Sequence, residues 1–216
     1  MSNQKEALVQ CGKQFYERRW MWGTAGNLSV RLKNQPLEIA VTPSGLNKGQ
    51  LRVADLLTVT DGKLPKHPKR YVPSAETVIH QAVYRAIPEA QATFHVHPIY
   101  STVLSSHYGD DQAIRSLSVE WFEMMKGVGV PEGETAEIPI FPNWQDVSRV
   151  AGDFSGYVQN QRAQKKAVLP VILIYKHGLT AWGKTVDQAR NHLEIVEYVC
   201  QYLYLKRLMG HLTASG

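Results

Sequence analysis

Cysteine is scarce: the 216 residues contain two, Cys11 and Cys200, with no C-x-x-C spacing. That excludes a disulfide framework and a thiolate zinc module, and points to two reduced core residues. Long apolar runs are also missing, and the stretch Met1-Ser2-Asn3-Gln4-Lys5-Glu6 carries no signal-peptide pattern. We therefore expect no membrane partner and a reducing, cytoplasmic setting. Charge of one sign is in short supply. The formal net charge is +5, and only Lys66–Arg70 and Lys165–Lys166 cluster basic residues. Such a balance fits a solvated surface first and an anionic small-molecule substrate second, and no nucleic-acid partner is expected. Neither an internal repeat nor a low-complexity linker interrupts the chain. What remains is 44% hydrophobic and 20% charged, the composition of a globular protein. The expectation is one domain over residues 1–216, of α/β class.

Periodicity then divides the chain. Lys5 to Trp20 reads as a helix with Leu8, Cys11, Phe15 and Tyr16 on one side, broken by Gly23-Thr24-Ala25-Gly26-Asn27. Leu28–Leu32, Leu37–Val41 and Leu56–Thr60 read as strands, and Asp61-Gly62 as a hairpin signal before a basic loop reaching Pro73. Ser74 is placed to cap a helix that runs to Ala86, since Pro88 cannot continue it. Ile99–Ser106 follows as a short helix, Ile114–Val119 is ambiguous, and Glu137–Phe141 is a strand. Asn143 is expected to cap a helix carrying Val147, Val150, Phe154 and Val158. Val168–Tyr175 is almost wholly apolar and so central in a sheet, and Leu179–Trp182 pairs back on it. Thr185–Gln188 forms a capping box for a last helix expected to stop at Gly210. Hairpin-like connections argue for a mixed, mostly antiparallel central sheet with helices on both faces.

The chemistry gathers around Thr93-Phe94-His95-Val96-His97-Pro98. Side chains alternate across a strand, so His95 and His97 share a face, about 7 Å apart at the backbone. Pro98 donates no ladder hydrogen bond and should end the strand. Two imidazoles at a strand end suit one metal ion, although alone they also fit two ordinary sheet histidines. His177 ends the apolar strand before Gly178. If the two strand ends are neighbours, three nitrogen ligands converge and leave one position open for a substrate. The other histidines, His67, His80, His107, His192 and His211, lack such a context and read as surface or helix residues.

Gly26-Asn27 and Ser44-Gly45 are turns beside strands, and Ser74 lies at a helix start. Each offers N–H groups or a short polar side chain to an anion, phosphate above all, and each is also explained as a plain turn or cap. Two carboxylates compete for acid/base work. Glu76 lies in the first turn after Ser74, and Glu123 lies among Trp121, Phe122, Met124 and Met125, where desolvation would favour proton transfer.

Taken in order, Gly23-Thr24-Ala25-Gly26-Asn27-Leu28-Ser29, Thr42-Pro43-Ser44-Gly45, Pro73-Ser74-Ala75-Glu76, His95-Val96-His97-Pro98 and His177-Gly178 resemble the class II (zinc) aldolase/adducin family. The resemblance implies a three-layer α/β/α fold and a homotetramer with sites at subunit interfaces. It also implies one Zn2+ per subunit on His95, His97 and His177, and a substrate phosphate held by Gly26, Asn27, Ser44, Gly45 and Ser74. The family's fuculose-phosphate aldolases have a second serine where this chain has Ala75, so one hydroxyl contact is missing here. Glu76 matches their acid/base carboxylate. Phe122–Val128 and Lys176–Thr185 are similar instead to the branch that dehydrates 5-methylthioribulose 1-phosphate in methionine salvage, where Glu123 matches the acid/base. The phosphorylated ketose would thus be dehydrated. The alternatives are aldol cleavage of a sugar phosphate and a non-catalytic, adducin-like binding module.

Overall fold

The computed structural model describes residues 2–61 and 71–214. Helix α1 (Ser2–Glu17) turns Leu8, Cys11 and Phe15 inward, as its spacing requires. Strands β1 (Asn27–Lys33), β2 (Glu38–Val41) and β3 (Leu57–Thr60) follow, then α2 (Thr77–Ala86), β4 (Ala92–Val96) and α3 (Ile99–Tyr108). The ambiguous stretch is strand β5 (Arg115–Val119), paired with β6 (Ala136–Phe141). After α4 (Val147–Ala163) come β7 (Val171–Ile174), β8 (Gly178–Gly183) and α5 (Val186–Ala214).

The eight strands make one sheet in the order β3-β2-β1-β4-β8-β7-β6-β5. Every neighbouring pair is antiparallel except β6 with β7. Helices α1, α3 and α5 supply Phe15, Leu104 and Leu193 to the core on one face, against Phe94 and Val96. Helices α2 and α4 supply Ile79, Val83 and Phe154 to the core on the other, against Ile39 and Trp182. The arrangement is the expected mixed, mostly antiparallel sheet between helical layers. Strand β7 is buried at all four positions because both of its faces are covered.

Several local expectations give way to tertiary context. Asp146, not Asn143, caps α4, its carboxylate accepting the Ser148 N–H at 3.0 Å. Helix α2 starts at Thr77 with Glu76 as its flanking residue, so Ser74 caps the preceding turn, its hydroxyl accepting the Glu76 N–H at 3.2 Å. Helix α5 passes through Gly210 to Ala214, since a glycine ends a helix only where the backbone turns left-handed there. In the expected capping box, Thr185 accepts the Gln188 N–H at 3.0 Å, but Gln188 reaches back to the N–H of Lys184 rather than of Thr185. His80 is a helix residue, one of the two settings expected for it, and is fully buried there. Most of the loop expected after Asp61-Gly62, with His67 and Lys66–Arg70, lies outside the described residues.

Pairing of β4 with β8 in the register Val96↔Leu179 brings His97 level with Gly178. The approach is close: a Cβ on Gly178 would collide with the Val96 carbonyl and lie 2.8 Å from His97 Cδ2. The obstacle is largely backbone, so Gly178→Ala should force the two strand ends apart. The expected loss is about 1–3 kcal/mol of stability, read from urea unfolding. A variant as stable as the parent would show that this contact does not set the strand spacing.

Candidate metal and phosphate site

His95 is the penultimate residue of β4, and His97 follows the strand's end, where its N–H is held by the Trp20 carbonyl at 2.8 Å. His177 closes the tight turn between β7 and β8, which the left-handed Lys176 (φ 53°) makes possible. The three rings meet edge to face with centroids 4.6–5.0 Å apart. The Nε2 atoms of His95 and His97 are 2.9 Å apart, and one ligand atom from each of the three histidines lies within 4.8 Å of the others. Glu76 Oε1 stands 3.3 Å from Nε2 of both His95 and His177.

This donor set fits a divalent transition metal. Burial first, then the neighbouring imidazoles, hold His95 well below the ordinary histidine range and push His97 down to about 3. Both are therefore neutral, the form that ligates. His95 is also oriented from behind: its Nδ1 lies 3.0 Å from Thr180 Oγ1 on β8. An N–H on Nδ1 donating to that hydroxyl leaves the Nε2 lone pair for a cation. Thr180 is a residue that sequence reasoning missed. In the chain it is one β-branched strand residue among many, and only the β4–β8 register sets it opposite His95.

Of the turns expected to hold an anion, Gly26-Asn27 lies directly beside His95 and Ser74 lies against Asn27. Gly26 is left-handed (φ 74°), and a Cβ there would meet the His95 carbonyl at 2.9 Å. Asn27 opens β1 opposite His95, and its amide donates to Glu76 Oε2 at 2.6 Å and lies 3.5 Å from Ser74 Oγ. Ser44 donates its N–H to the Val72 carbonyl at 2.8 Å, and Pro43 bridges to Pro73. Gly45 is left-handed and its turn is open to solvent. Gly26, Asn27, Ser74 and Glu76 are thus linked to the histidines by direct contacts, and the Ser44-Gly45 turn is tied to the Ser74 segment through the Pro43–Pro73 bridge.

Glu123 is not among them. It starts a 3-10 turn, Glu123–Val128, its side chain is 77% exposed, and its partner is Lys126 at 3.2 Å. The expected desolvation by its neighbours does not occur within the chain, because Met125 turns into the core while Met124 turns out.

A second residue missed in the sequence is Lys48. It is 1% exposed, and its Nζ donates to the carbonyls of Thr24 at 2.7 Å and Leu46 at 3.0 Å. Lysines are so rarely buried that its sequence position signals nothing. Burial lowers its pKa to about 8, opposed by the nearby Glu76.

Residues 6–204 match the Class II Aldolase and Adducin N-terminal domain family. A methylthioribulose-1-phosphate dehydratase of Microcystis aeruginosa is 37% identical over 94% of this chain and 96% of its own length. A probable bifunctional methylthioribose-1-phosphate isomerase/methylthioribulose-1-phosphate dehydratase of Nocardia farcinica is 41% identical over 90% of this chain, which spans only 34% of that longer protein. Among solved structures, an L-fuculose 1-phosphate aldolase superposes with a TM-score of 0.76 at 22% identity, covering 97% of this chain and 89% of its own.

Removing one imidazole should cost the metal and leave the fold. We expect His177→Ala to lose most of its bound zinc, measured by elemental analysis, with an unchanged circular dichroism spectrum. Thr180→Val keeps the side chain's volume but loses the oxygen behind His95, and should weaken zinc binding about 10–100-fold in a chelator competition. Full zinc occupancy in His177→Ala would remove that residue from the site.

Proposed function

Because the chain belongs to the class II aldolase and adducin family, we propose that it is a metal-dependent lyase that dehydrates 5-methylthioribulose 1-phosphate. The product is 2,3-diketo-5-methylthiopentyl 1-phosphate. The observation that carries the reading is the set of three converging imidazoles next to the left-handed Gly26 turn. The similarity to named dehydratases over nearly the full chain supports the choice of substrate.

His95, His97 and His177 would hold the cation, Zn2+ in this reading. When bound, it supplies a Lewis acid that draws electron density from the substrate's C2 carbonyl and so acidifies the C3 proton. The substrate phosphate lies on the N–H groups of Gly26 and Gly45, with Asn27, Ser44 and Ser74 around it. Glu123 takes the C3 proton, the C4 hydroxyl leaves as water with a proton, and the resulting enol rearranges to the diketone. Glu76, fixed by Asn27, orients the cluster and serves as the second acid/base group. An exposed Glu123 needs covering to work this way. A homotetramer with sites at subunit interfaces would do so, and the exposed Tyr198, Tyr202, Leu205 and Met124 supply apolar surface for its formation.

One observation favours a second reading, aldol cleavage of a sugar phosphate. The carboxylate 3.3 Å from the histidine nitrogens is Glu76, not Glu123. There Glu76 would take the C4 hydroxyl proton and the C3–C4 bond would break.

Assay of the zinc-loaded protein with both sugar phosphates separates these readings, and turnover of neither would leave the binding module. We expect diketone formation, with Glu123→Gln keeping zinc but losing about 10²–10⁴-fold in kcat. In D2O the parent should exchange the C3 proton of bound substrate and Glu123→Gln should not. Exchange that survives in Glu123→Gln and vanishes in Glu76→Gln would transfer the role to Glu76.

A further inference from the structure

Lys48 presents an unresolved charge. Its ammonium is buried, yet among the described residues no carboxylate forms an ion pair with it. Burying an ammonium is costly, and two carbonyl dipoles and the more distant charge of Glu76 offset only part of that cost. The carbonyls it holds belong to the two glycine turns expected to bind an anion: Thr24 lies in the Gly23–Asn27 turn, and Leu46 directly follows Ser44-Gly45. Neither Gly26 nor Gly45 gives its N–H to a backbone acceptor among the described residues. One cation therefore ties together two turns with free donors, and an ammonium has three donors of its own, two of them used here.

We propose that Lys48 makes these two turns an anion site, holding them by their carbonyls and supplying the positive charge that a substrate's phosphate neutralises. Its role is positioning and charge pairing; it moves no proton. The fold explains how it is held. Asn47 caps the 3-10 turn Lys48–Gln50, accepting the Gly49 N–H at 2.8 Å, and donates to Tyr16 of α1 at 3.1 Å. The lysine backbone is thereby pinned while its side chain runs inward. This inference rests on the phosphate-binding part of the reading above.

Lys48→Gln retains an amide donor for the carbonyls and removes the charge, whereas Lys48→Arg retains the charge. Inorganic phosphate is the probe, with binding to the zinc-loaded protein measured by calorimetry. Lys48→Gln should bind phosphate at least about tenfold more weakly, the factor expected for losing a hydrogen bond to a charged group. Zinc content should not change, and KM for the phosphorylated substrate should rise more than kcat falls. Lys48→Arg should recover most of the binding. In wild-type protein carrying 15N-lysine, the Lys48 Nζ resonance should shift on phosphate addition, a measurement that needs no variant to fold. If wild type binds phosphate but Lys48→Gln binds it equally well, or the resonance does not move, the role of Lys48 is refuted alone. If wild type binds no phosphate, the phosphate site itself falls and the proposal with it.

Discussion

Antiparallel pairing of β4 with β8 carries His97 level with Gly178, and His177 precedes that glycine in the turn from β7. Three nitrogen atoms from positions 80 residues apart can share one cation only because these two strands are neighbours. The same register sets Thr180 opposite His95, so strand pairing supplies both a donor set that could hold a metal and the group that orients one of its imidazoles. Two neighbouring elements fix the backbone at this end of the sheet. Trp20 holds the N–H of His97. Glu197 of α5 accepts the N–H groups of Tyr100 and Ser101 at 3.0 Å each, fixing the start of α3 just beyond Pro98. That carboxylate is pushed up by burial and pulled back by these hydrogen bonds, an arrangement favoured at a helix N-terminus.

Behind the histidines the sheet carries a polar layer. Ser29 Oγ lies 2.7 Å from His80 Nδ1 and 2.8 Å from the Tyr84 hydroxyl, all fully or nearly fully buried. Burial lowers His80 to about 4 and raises Tyr84 to about 12, so both stay neutral near pH 7. A neutral His80 matters here because a positive charge behind His95 would repel a bound cation. Arg31, also in β1, gives its guanidinium to the carbonyls of Tyr84, Ile87 and Pro88 and so closes the C-terminal end of α2. Helix α2 is thus fixed at both ends, with Glu76 held by Asn27 at the one that meets the site. The position of this carboxylate follows from β1 as much as from its own helix.

Much of this was legible in the chain. The strand and helix types follow from periodicity, and His-x-His-Pro marks a strand end whatever surrounds it, because proline stops the ladder. Glycine at 26 and 45 announces turns by its backbone freedom alone, and both are left-handed in the fold. The mixed, mostly antiparallel sheet follows from short connections. By contrast, the cap at Asp146, the passage of α5 through Gly210 and the burial of His80 depend on packing that local propensity does not contain.

The sequence by itself determined which groups are present: imidazoles at two strand ends, short polar residues at the turns, and two carboxylates. Only the tertiary structure decided which of them meet. Glu76 and Glu123 look alike as candidates in the chain, yet strand order brings Glu76 to the histidines and leaves Glu123 exposed on a separate turn. Lys48 and Thr180 acquire their places in the same way. A side chain's chemistry is local, but its burial and partners are set by strand register and by which layer covers it, and neither is encoded within a few residues of its position.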